Sequence, residues 1–190
     1  KMYANGVTCV NCHDAHSMQL KAPGNATCNS CHAPAKFNVE AHTHHSENSV
    51  GSSCANCHMP VSTYMGVDDR RDHSIRIPRP DLSLTLGTPN ACNKCHTDKT
   101  VSWTAKAFES WYGDKLPPGK TYGEHLFAIS KNDAGSEASW FDLMSSQAYP
   151  AIIKATVLEQ YPNFLSPRIV DLRQQNLQSA DPNLRRNALS

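Results

Sequence analysis

No run of about 20 consecutive apolar residues occurs in the 190-residue chain, so the sequence predicts no membrane-spanning helix. Charge of one sign is not in excess either: 18 Lys and Arg offset 17 Asp and Glu, which leaves a formal net charge of +1. Because a nucleic-acid-binding domain normally carries a basic patch, this balance argues against one. No signal peptide is visible in the polar start Lys1-Met2-Tyr3, and we interpret the chain as a processed one whose leader has been removed.

Large aliphatic side chains are scarce in the first half of the chain. Between residues 1 and 96, Leu, Ile and Phe are outnumbered by Asn, Ser, His and Pro. A domain with so thin a core needs staples, which are disulfides, metals or cofactors. The eight cysteines are the obvious source of such staples.

No cysteine stands alone, because all eight belong to Cys-x-x-Cys pairs. A histidine follows each pair, so that the four motifs read CVNCH, CNSCH, CANCH and CNKCH. This pattern is the signature of covalent c-type haem attachment, in which both thiols form thioethers with the porphyrin and the histidine binds the iron. The cysteines are Cys9, Cys12, Cys28, Cys31, Cys54, Cys57, Cys92 and Cys95, and the proximal histidines are His13, His32, His58 and His96.

Two other kinds of site use Cys-x-x-Cys pairs. Two such pairs can form a zinc site with four thiolate ligands, and a single pair can be a thiol redox motif. Neither explains a histidine directly after every pair. The sequence therefore predicts four covalently bound haem c groups, and it leaves no thiols for disulfides.

Six further histidines are available as sixth iron ligands, and bis-histidine ligation is the simplest interpretation. His16 follows His13 at i+3, a spacing that suits two different haems. His42 and His45 have the same spacing, and His44 could replace either of them. Met18, Met59 and Met65 are the alternative ligands, and a Met ligand would raise the reduction potential. We expect His16, His42, His45 and His73 to be the distal ligands, and His125 to be a surface residue.

Supporting roles are predicted for charged and aromatic residues. Arginine forks match carboxylates in bidentate geometry, so the arginines between residues 70 and 79 are candidate partners of the haem propionates. Tyr3, Tyr64 and Phe37 are candidates for packing on porphyrin faces. The aromatic residues after the last motif are interpreted as the packing face of a helix. The arginines are Arg70, Arg71, Arg76 and Arg79, and the aromatics are Trp103, Phe108 and Trp111.

The fold class follows from the change of character after residue 97. The haem-bearing half reads as loops and short helical turns. The second half predicts an amphipathic helix on Trp103, Ala107 and Trp111, and weaker helices over 124–130 and 137–145. Pro150 suits a first helical position, as do the prolines of Ser166-Pro167 and Asp181-Pro182. We predict a mainly α protein with extensive loops: a haem-organised cytochrome c domain over 1–115 and a helical segment over 116–190.

The haem-bearing half resembles a known module. The segments CVNCHDAHS, CNSCH, AHTHH, CANCHMPVSTYM, DDRRDHSIRIPRPDLS and GTPNACNKCHTDK resemble the tetrahaem module of bacterial multihaem cytochromes that carry TPR or HEAT-like repeats after the haems. In haem packing the module is similar to the tetrahaem cytochromes of ammonia oxidation and the multihaem donors of nitrite reductase. The resemblance implies His16, His42, His45 and His73 as distal ligands, and matches least well at His44. It also implies a longer repeat region than 116–190, so that segment is either a truncated repeat array or has another role.

Electron transfer is the function that this pattern favours. The expected partners are redox proteins that donate and accept electrons, and small tetrahaem cytochromes include subunits of extracellular filaments in which a neighbouring copy supplies a distal histidine. The alternative is a multihaem reductase of a small nitrogen species, which needs one haem with an open coordination position. We identify no catalytic residue. Since haem attachment takes place outside the cytoplasm, we expect a periplasmic or extracellular protein.

Overall fold

The computed structural model describes residues 2, 5–116 and 118–189, and the chain divides into two compact units, Lys1–Asp114 and Lys115–Ser190. Most of the regular structure is helical, which confirms the predicted mainly α class. In the part of the chain that is described, no helix is long and apolar enough to cross a bilayer.

Short helices joined by loops make up most of the first unit. They are α1 (Cys9–Cys12), α2 (Asn25–Asn29), α3 (Pro34–Phe37), α4 (Glu40–Thr43), α5 (Cys54–His58), α6 (Pro80–Leu86) and α7 (Val101–Tyr112), with 3₁₀ turns at Val50–Ser52, Cys92–Lys94 and Gly113–Lys115. Six of these helices are shorter than two turns, which is too short for stability without tertiary support.

A β-hairpin follows the third Cys-x-x-Cys-His motif, where the sequence predicted only loops and helical turns. Strands β1 (Val61–Tyr64) and β2 (Asp68–Arg71) pair antiparallel, with Val61 opposite Arg71 and Tyr64 opposite Asp68. The turn between them places Met65 and Gly66 at φ 51° and 77°, which suits a tight hairpin turn. β2 reads DDRR and is exposed throughout, so it carries no alternation of apolar residues that would signal a strand.

Helix α7 has the predicted length of about three turns. Of the three aromatic residues predicted to pack, Phe108 is buried, together with Thr104 and Ala105, which carried no such signal in the sequence. Trp103 and Trp111 are 44% and 37% exposed. Their rings lie against His96 and His44, so all three aromatic residues make packing contacts within the first unit, although only Phe108 is buried.

Five helices form the second unit: α8 (Tyr122–Ser130), α9 (Ser136–Ser145), α10 (Ala151–Gln160), α11 (Pro167–Asn176) and α12 (Pro182–Asn187). The starts predicted at Ser166-Pro167 and Asp181-Pro182 are confirmed, and the Asp181 carboxylate accepts the backbone N–H groups of Asn183 and Leu184. Pro150 is not the first helical residue, because its ψ of 152° is extended and makes it the N-cap of α10.

An apolar core holds the second unit together. Its members come from all five helices: Ile129, Trp140, Leu143, Met144, Ala155, Val157, Leu158, Ile169 and Leu184. His125 also lies inside this unit and is only 7% exposed, so the prediction of a surface histidine was wrong. His125 and Ile129 are one turn apart on α8, and both belong to the buried face of that helix.

Candidate haem-binding site

Each Cys-x-x-Cys-His motif forms a single helical turn. In the first, second and fourth motifs the backbone N–H of the histidine donates to the carbonyl of the first cysteine at 2.9 Å, and the third motif lies wholly within α5. Since residues three and four positions apart share one face of a helix, both thiols and the imidazole of each motif point to the same side. This is the arrangement that attachment of one porphyrin edge and one axial ligand requires.

The thiols of successive motifs are neighbours. All eight cysteines are free. Burial raises the pKa of Cys28, and the nearby Cys54 and Cys12 thiols raise it further. Burial likewise raises the pKa of Cys57, with smaller contributions from Cys92 and Cys95. Because such effects act only between nearby groups, cysteines of successive motifs lie near one another.

Three of the proximal histidines face a second imidazole. The ring centroids of His13 and His73 are 6.3 Å apart, those of His58 and His42 are 6.3 Å apart, and those of His96 and His45 are 6.0 Å apart. The His58 and His42 rings are parallel within 5°. A metal ion bonded to one nitrogen of each ring at about 2 Å separates two imidazole centroids by about 6 Å. The three separations therefore fit an iron atom between each pair of rings.

Four of these six imidazoles have their second nitrogen fixed by the backbone. A carbonyl oxygen can only accept, so in each case Nδ1–H donates and Nε2 is left for the metal. The pairs are His13 with the Met18 carbonyl at 2.8 Å, His58 with Arg76 at 2.8 Å, His45 with Thr43 at 2.7 Å and His73 with Arg71 at 2.9 Å. Metal-binding histidines almost always make such an outer hydrogen bond, which fixes the tautomer and the ring orientation.

His32 is the proximal histidine without an opposite imidazole among the described residues. Its ring neighbour is Phe37, at 5.5 Å and edge to face. His16, the remaining candidate ligand, is exposed and makes no ring contact in the described part of the chain. The Asp14 carboxylate fixes the turn that carries His16 by accepting the backbone N–H of His16 at 3.1 Å and of Ser17 at 2.9 Å.

His44 lies between the distal candidates His42 and His45, but its ring does not face a motif histidine. Its φ of 54° is left-handed and ends the helix. The ring stacks on Trp111 with a centroid distance of 3.9 Å and an angle of 7°. Of the three histidines in this segment, the structure thus brings His42 and His45, and not His44, opposite proximal histidines.

The four arginines proposed as propionate partners make hydrogen bonds within the chain. Arg79 binds the Asp81 carboxylate through Nε and Nη2, and Arg70 binds Asp68 at 2.6 Å. Arg71 donates to the Met59 carbonyl and the Asn56 side chain, and Arg76 donates to Ser74. Of the methionines considered as ligands, Met18 and Met65 are exposed and have positive φ.

A zinc site built only from protein ligands finds no support within the described residues, since no three His, Cys, Asp or Glu side chains converge there. The imidazole pairs need the four remaining equatorial ligands that a porphyrin supplies. The donor set of this unit therefore fits haem.

Sequence reasoning missed one residue next to the site. This residue is Gly51, which lies in the 3₁₀ turn Val50–Ser52. A Cβ at this position would lie 2.1 Å from Cδ2 of His45. The His45 ring thus occupies the space of a side chain at position 51, a contact that no local sequence signal indicates.

Two family models match the chain. A model described as a doubled CXXCH motif matches residues 1–37, and a model described as cytochrome c552 matches residues 35–110. No curated protein and no solved structure matches. Both matches fall in the unit that holds the motifs and the facing imidazoles. The two matches support a multihaem c-type cytochrome and haem-based electron transfer.

Proposed function

We propose that the chain binds four haem c groups and conducts electrons through them as a periplasmic or extracellular carrier or conduit. The observation that carries this proposal is the set of three imidazole pairs at 6.0–6.3 Å. Bound haem supplies one-electron chemistry, and two imidazoles on each iron favour low potentials and a closed coordination sphere.

Each motif histidine is assigned one distal partner on the same iron. His13 and His73 bind the first iron, His58 and His42 the third, and His96 and His45 the fourth. The iron bound by His32 takes His16 as its sixth ligand, because the His44 ring stacks on Trp111 and His125 lies in the second unit. His42 lies in α4 and His45 lies two residues after its end, so the haems of the third and fourth motifs are bound by one short segment.

Close packing of the sites supports conduction along the chain. The Phe37 ring lies edge to face with both His32 and His42, at 5.5 and 5.4 Å. It therefore connects the proximal ligand of the second haem to the distal ligand of the third. Cysteines of successive motifs also influence one another's pKa values, which supports neighbouring attachment points for the haems.

Two measurements test this proposal. The intact mass should contain four haem increments, and electron paramagnetic resonance (EPR) of the oxidised protein should show low-spin bis-histidine signals. His45→Gln should convert one haem to a high-spin form, while His44→Gln, the matched variant in the same segment, should leave every haem low-spin. A mass with fewer increments, or conversion to high spin in His44→Gln and not in His45→Gln, contradicts the assignment.

A reductase of a small nitrogen species is the second candidate, and the His32 site favours it. If His16 does not bind the second haem, that iron has an open position next to Phe37. Carbon monoxide added to the reduced protein distinguishes the two functions. One bound molecule per chain, abolished by His32→Ala and unaffected by His16→Ala, would support the reductase, and no binding would exclude it.

We propose redox proteins as donors and acceptors, and a second copy of the chain as a further partner. The second unit supports an assembly role, because its helices pack on one another, α8 on α9 and α10 on α12, and still leave Ile152, Leu165 and Leu189 exposed. Sedimentation velocity of the haem-loaded chain should show a species larger than the monomer at micromolar concentration. A monomer at all concentrations would contradict self-assembly and leave a discrete carrier.

A further inference from the structure

Helix α7 returns to the segment that carries two of the proposed distal ligands. The Tyr112 hydroxyl at its end donates a short hydrogen bond to the backbone carbonyl of His42, 70 residues earlier in the chain. The Tyr112 ring lies 6.1 Å from the His42 ring and 5.6 Å from the His44 ring. One side chain thus contacts both the backbone and the imidazole side of this turn.

The residue before it makes a second contact to the same turn. The Trp111 ring stacks face to face on His44 at 3.9 Å, which is the closest of the ring pairs in the described residues. Since His44 lies between His42 and His45 in sequence, fixing its ring fixes the backbone between the two ligands.

Helix α7 is itself firmly held. At its start, buried Thr104 donates to the Asn93 side chain at 3.1 Å, and Asn93 donates in turn to the backbone carbonyls of His96 and Lys99. Nearer its end, Phe108 is 6% exposed and packs 5.5 Å from the Tyr112 ring. The helix therefore connects the fourth haem motif to the turn that holds its distal ligand.

We propose that Tyr112 and Trp111 are positioning residues that hold α4 so that His42 and His45 reach their irons. Helix α4 has only four residues and no side-chain cap, so its own hydrogen bonds hold it weakly. The two aromatic residues supply the rigidity that the short helix lacks. This inference rests on the proposed function, because it takes His42 and His45 as iron ligands.

Tyr112→Phe is the sharpest test, because it keeps the ring and removes only the hydroxyl that binds the His42 carbonyl. Carbon monoxide competes with the distal histidine in the reduced protein, so a loosened His42 raises the apparent affinity. We expect an increase of about 10-fold at one haem, the lower end of the effect that loss of an outer partner has on metal binding. The expected EPR signature is a changed low-spin signal at that haem.

Tyr149→Phe is the matched control. Its hydroxyl also donates to a backbone carbonyl, that of Lys120 at 2.6 Å, but both residues belong to the second unit. Trp111→Leu provides a second variant, which removes the stack on His44 and should act in the same direction as Tyr112→Phe.

The results separate the two claims. Stronger carbon monoxide binding in Tyr112→Phe and Trp111→Leu, with none in Tyr149→Phe, supports the inference. Wild-type behaviour of Tyr112→Phe and Trp111→Leu, in a protein whose wild type shows bis-histidine signals, overturns the inference alone. A wild type without those signals overturns the ligand assignment, and the inference with it.

Discussion

Among single residues, Gly51 has the most direct steric relation to a proposed ligand. An alanine Cβ there would overlap the His45 imidazole at 2.1 Å, a distance that non-bonded carbon atoms do not reach. Gly51→Ala must therefore displace His45 from its position opposite His96. We expect this variant to lose one low-spin bis-histidine haem, observed by EPR of the oxidised protein, and to bind one additional carbon monoxide when reduced.

Gly135→Ala is the control for a general effect of adding a methyl group to a glycine. Gly135 has a φ of −87°, and its nearest neighbour would be Asp133 Oδ1 at 3.4 Å, an ordinary contact. The haem spectrum of the Gly135→Ala variant should match that of the wild type. If Gly51→Ala also matches the wild type, His45 is not an iron ligand in the observed position.

The buried His125 gives the second unit a predicted pH dependence. Burial lowers its pKa from the ordinary value of 6.5, and the charge of Lys120 lowers it further. The folded state binds the proton of His125 less tightly than the unfolded state. The stability that depends on neutral His125 is therefore fully present above the ordinary pKa and is lost as the pH falls below it. We expect the free energy of unfolding of this unit to decrease below pH 6.5, by at most about 1.4 kcal/mol per pH unit.

Urea unfolding followed by far-ultraviolet circular dichroism at several pH values measures this dependence. His125→Gln should flatten the pH profile, since it removes the titrating group. An unchanged slope in that variant would show that another residue is responsible.

Residue chemistry could be predicted from the sequence where it depends on local spacing. The thiols and motif histidines follow from the motifs alone. The sequence favoured His42, His45 and His73 as distal ligands; their rings face motif histidines, and their binding of iron stays a prediction. The sequence left His44 open as a replacement for His42 or His45, because its orientation depends on a left-handed φ and on a tryptophan far away in sequence. The burial of His125 likewise depends on which face of α8 meets the other helices.

At the scale of elements, helix starts were predictable where a cap residue precedes a proline. Asp181 and Ser166 mark the starts of α12 and α11, as the sequence indicates. The hairpin was not predictable, because β2 exposes both of its faces and leaves no alternating pattern. Its role is visible only in three dimensions: it leads directly to His73, whose Nδ1 is held by the last residue of β2.

The capping box of α8 allows a test at this scale. The Thr121 hydroxyl accepts the Glu124 N–H at 3.3 Å, and the Glu124 carboxylate accepts the Thr121 N–H at 2.7 Å. Thr121→Ala should destabilise the second unit by about 1 kcal/mol, because it leaves N-terminal N–H groups of the helix without partners. Thermal unfolding measured by circular dichroism should show the lower midpoint, with unchanged haem spectra.

Thr156→Ala serves as the comparison for loss of a threonine. Thr156 lies inside α10, where its hydroxyl only donates back to the Ile152 carbonyl. Because alanine is the better residue in a helix interior, this variant should be neutral or slightly stabilising. A similar loss of stability in both variants would mean that the capping box is not the cause.

At the scale of the whole molecule, the two units differ in what their side chains can bury. The second unit has nine buried residues in one apolar cluster. In the described residues of the first unit, the buried apolar side chains are Pro80, Ala105 and Phe108, all on α6 and α7. Ordering the backbone costs about 1–2 kcal/mol per residue, so a unit of 114 residues with so small a protein core depends on another source of buried surface.

In the proposed molecule, four covalently bound porphyrins supply the buried surface of the first unit. Their removal should therefore unfold the first unit and leave the second unit folded. A variant with alanine at all eight motif cysteines cannot attach haem. Limited proteolysis of this variant should digest the first unit and leave a resistant fragment that begins near residue 115, because the core of the second unit contains no motif residue. The haem-loaded wild type, digested in parallel, should resist cleavage in both units. If the first 114 residues of the haem-free chain stay resistant, protein contacts alone fold this unit, and haem binding is not required for its folding.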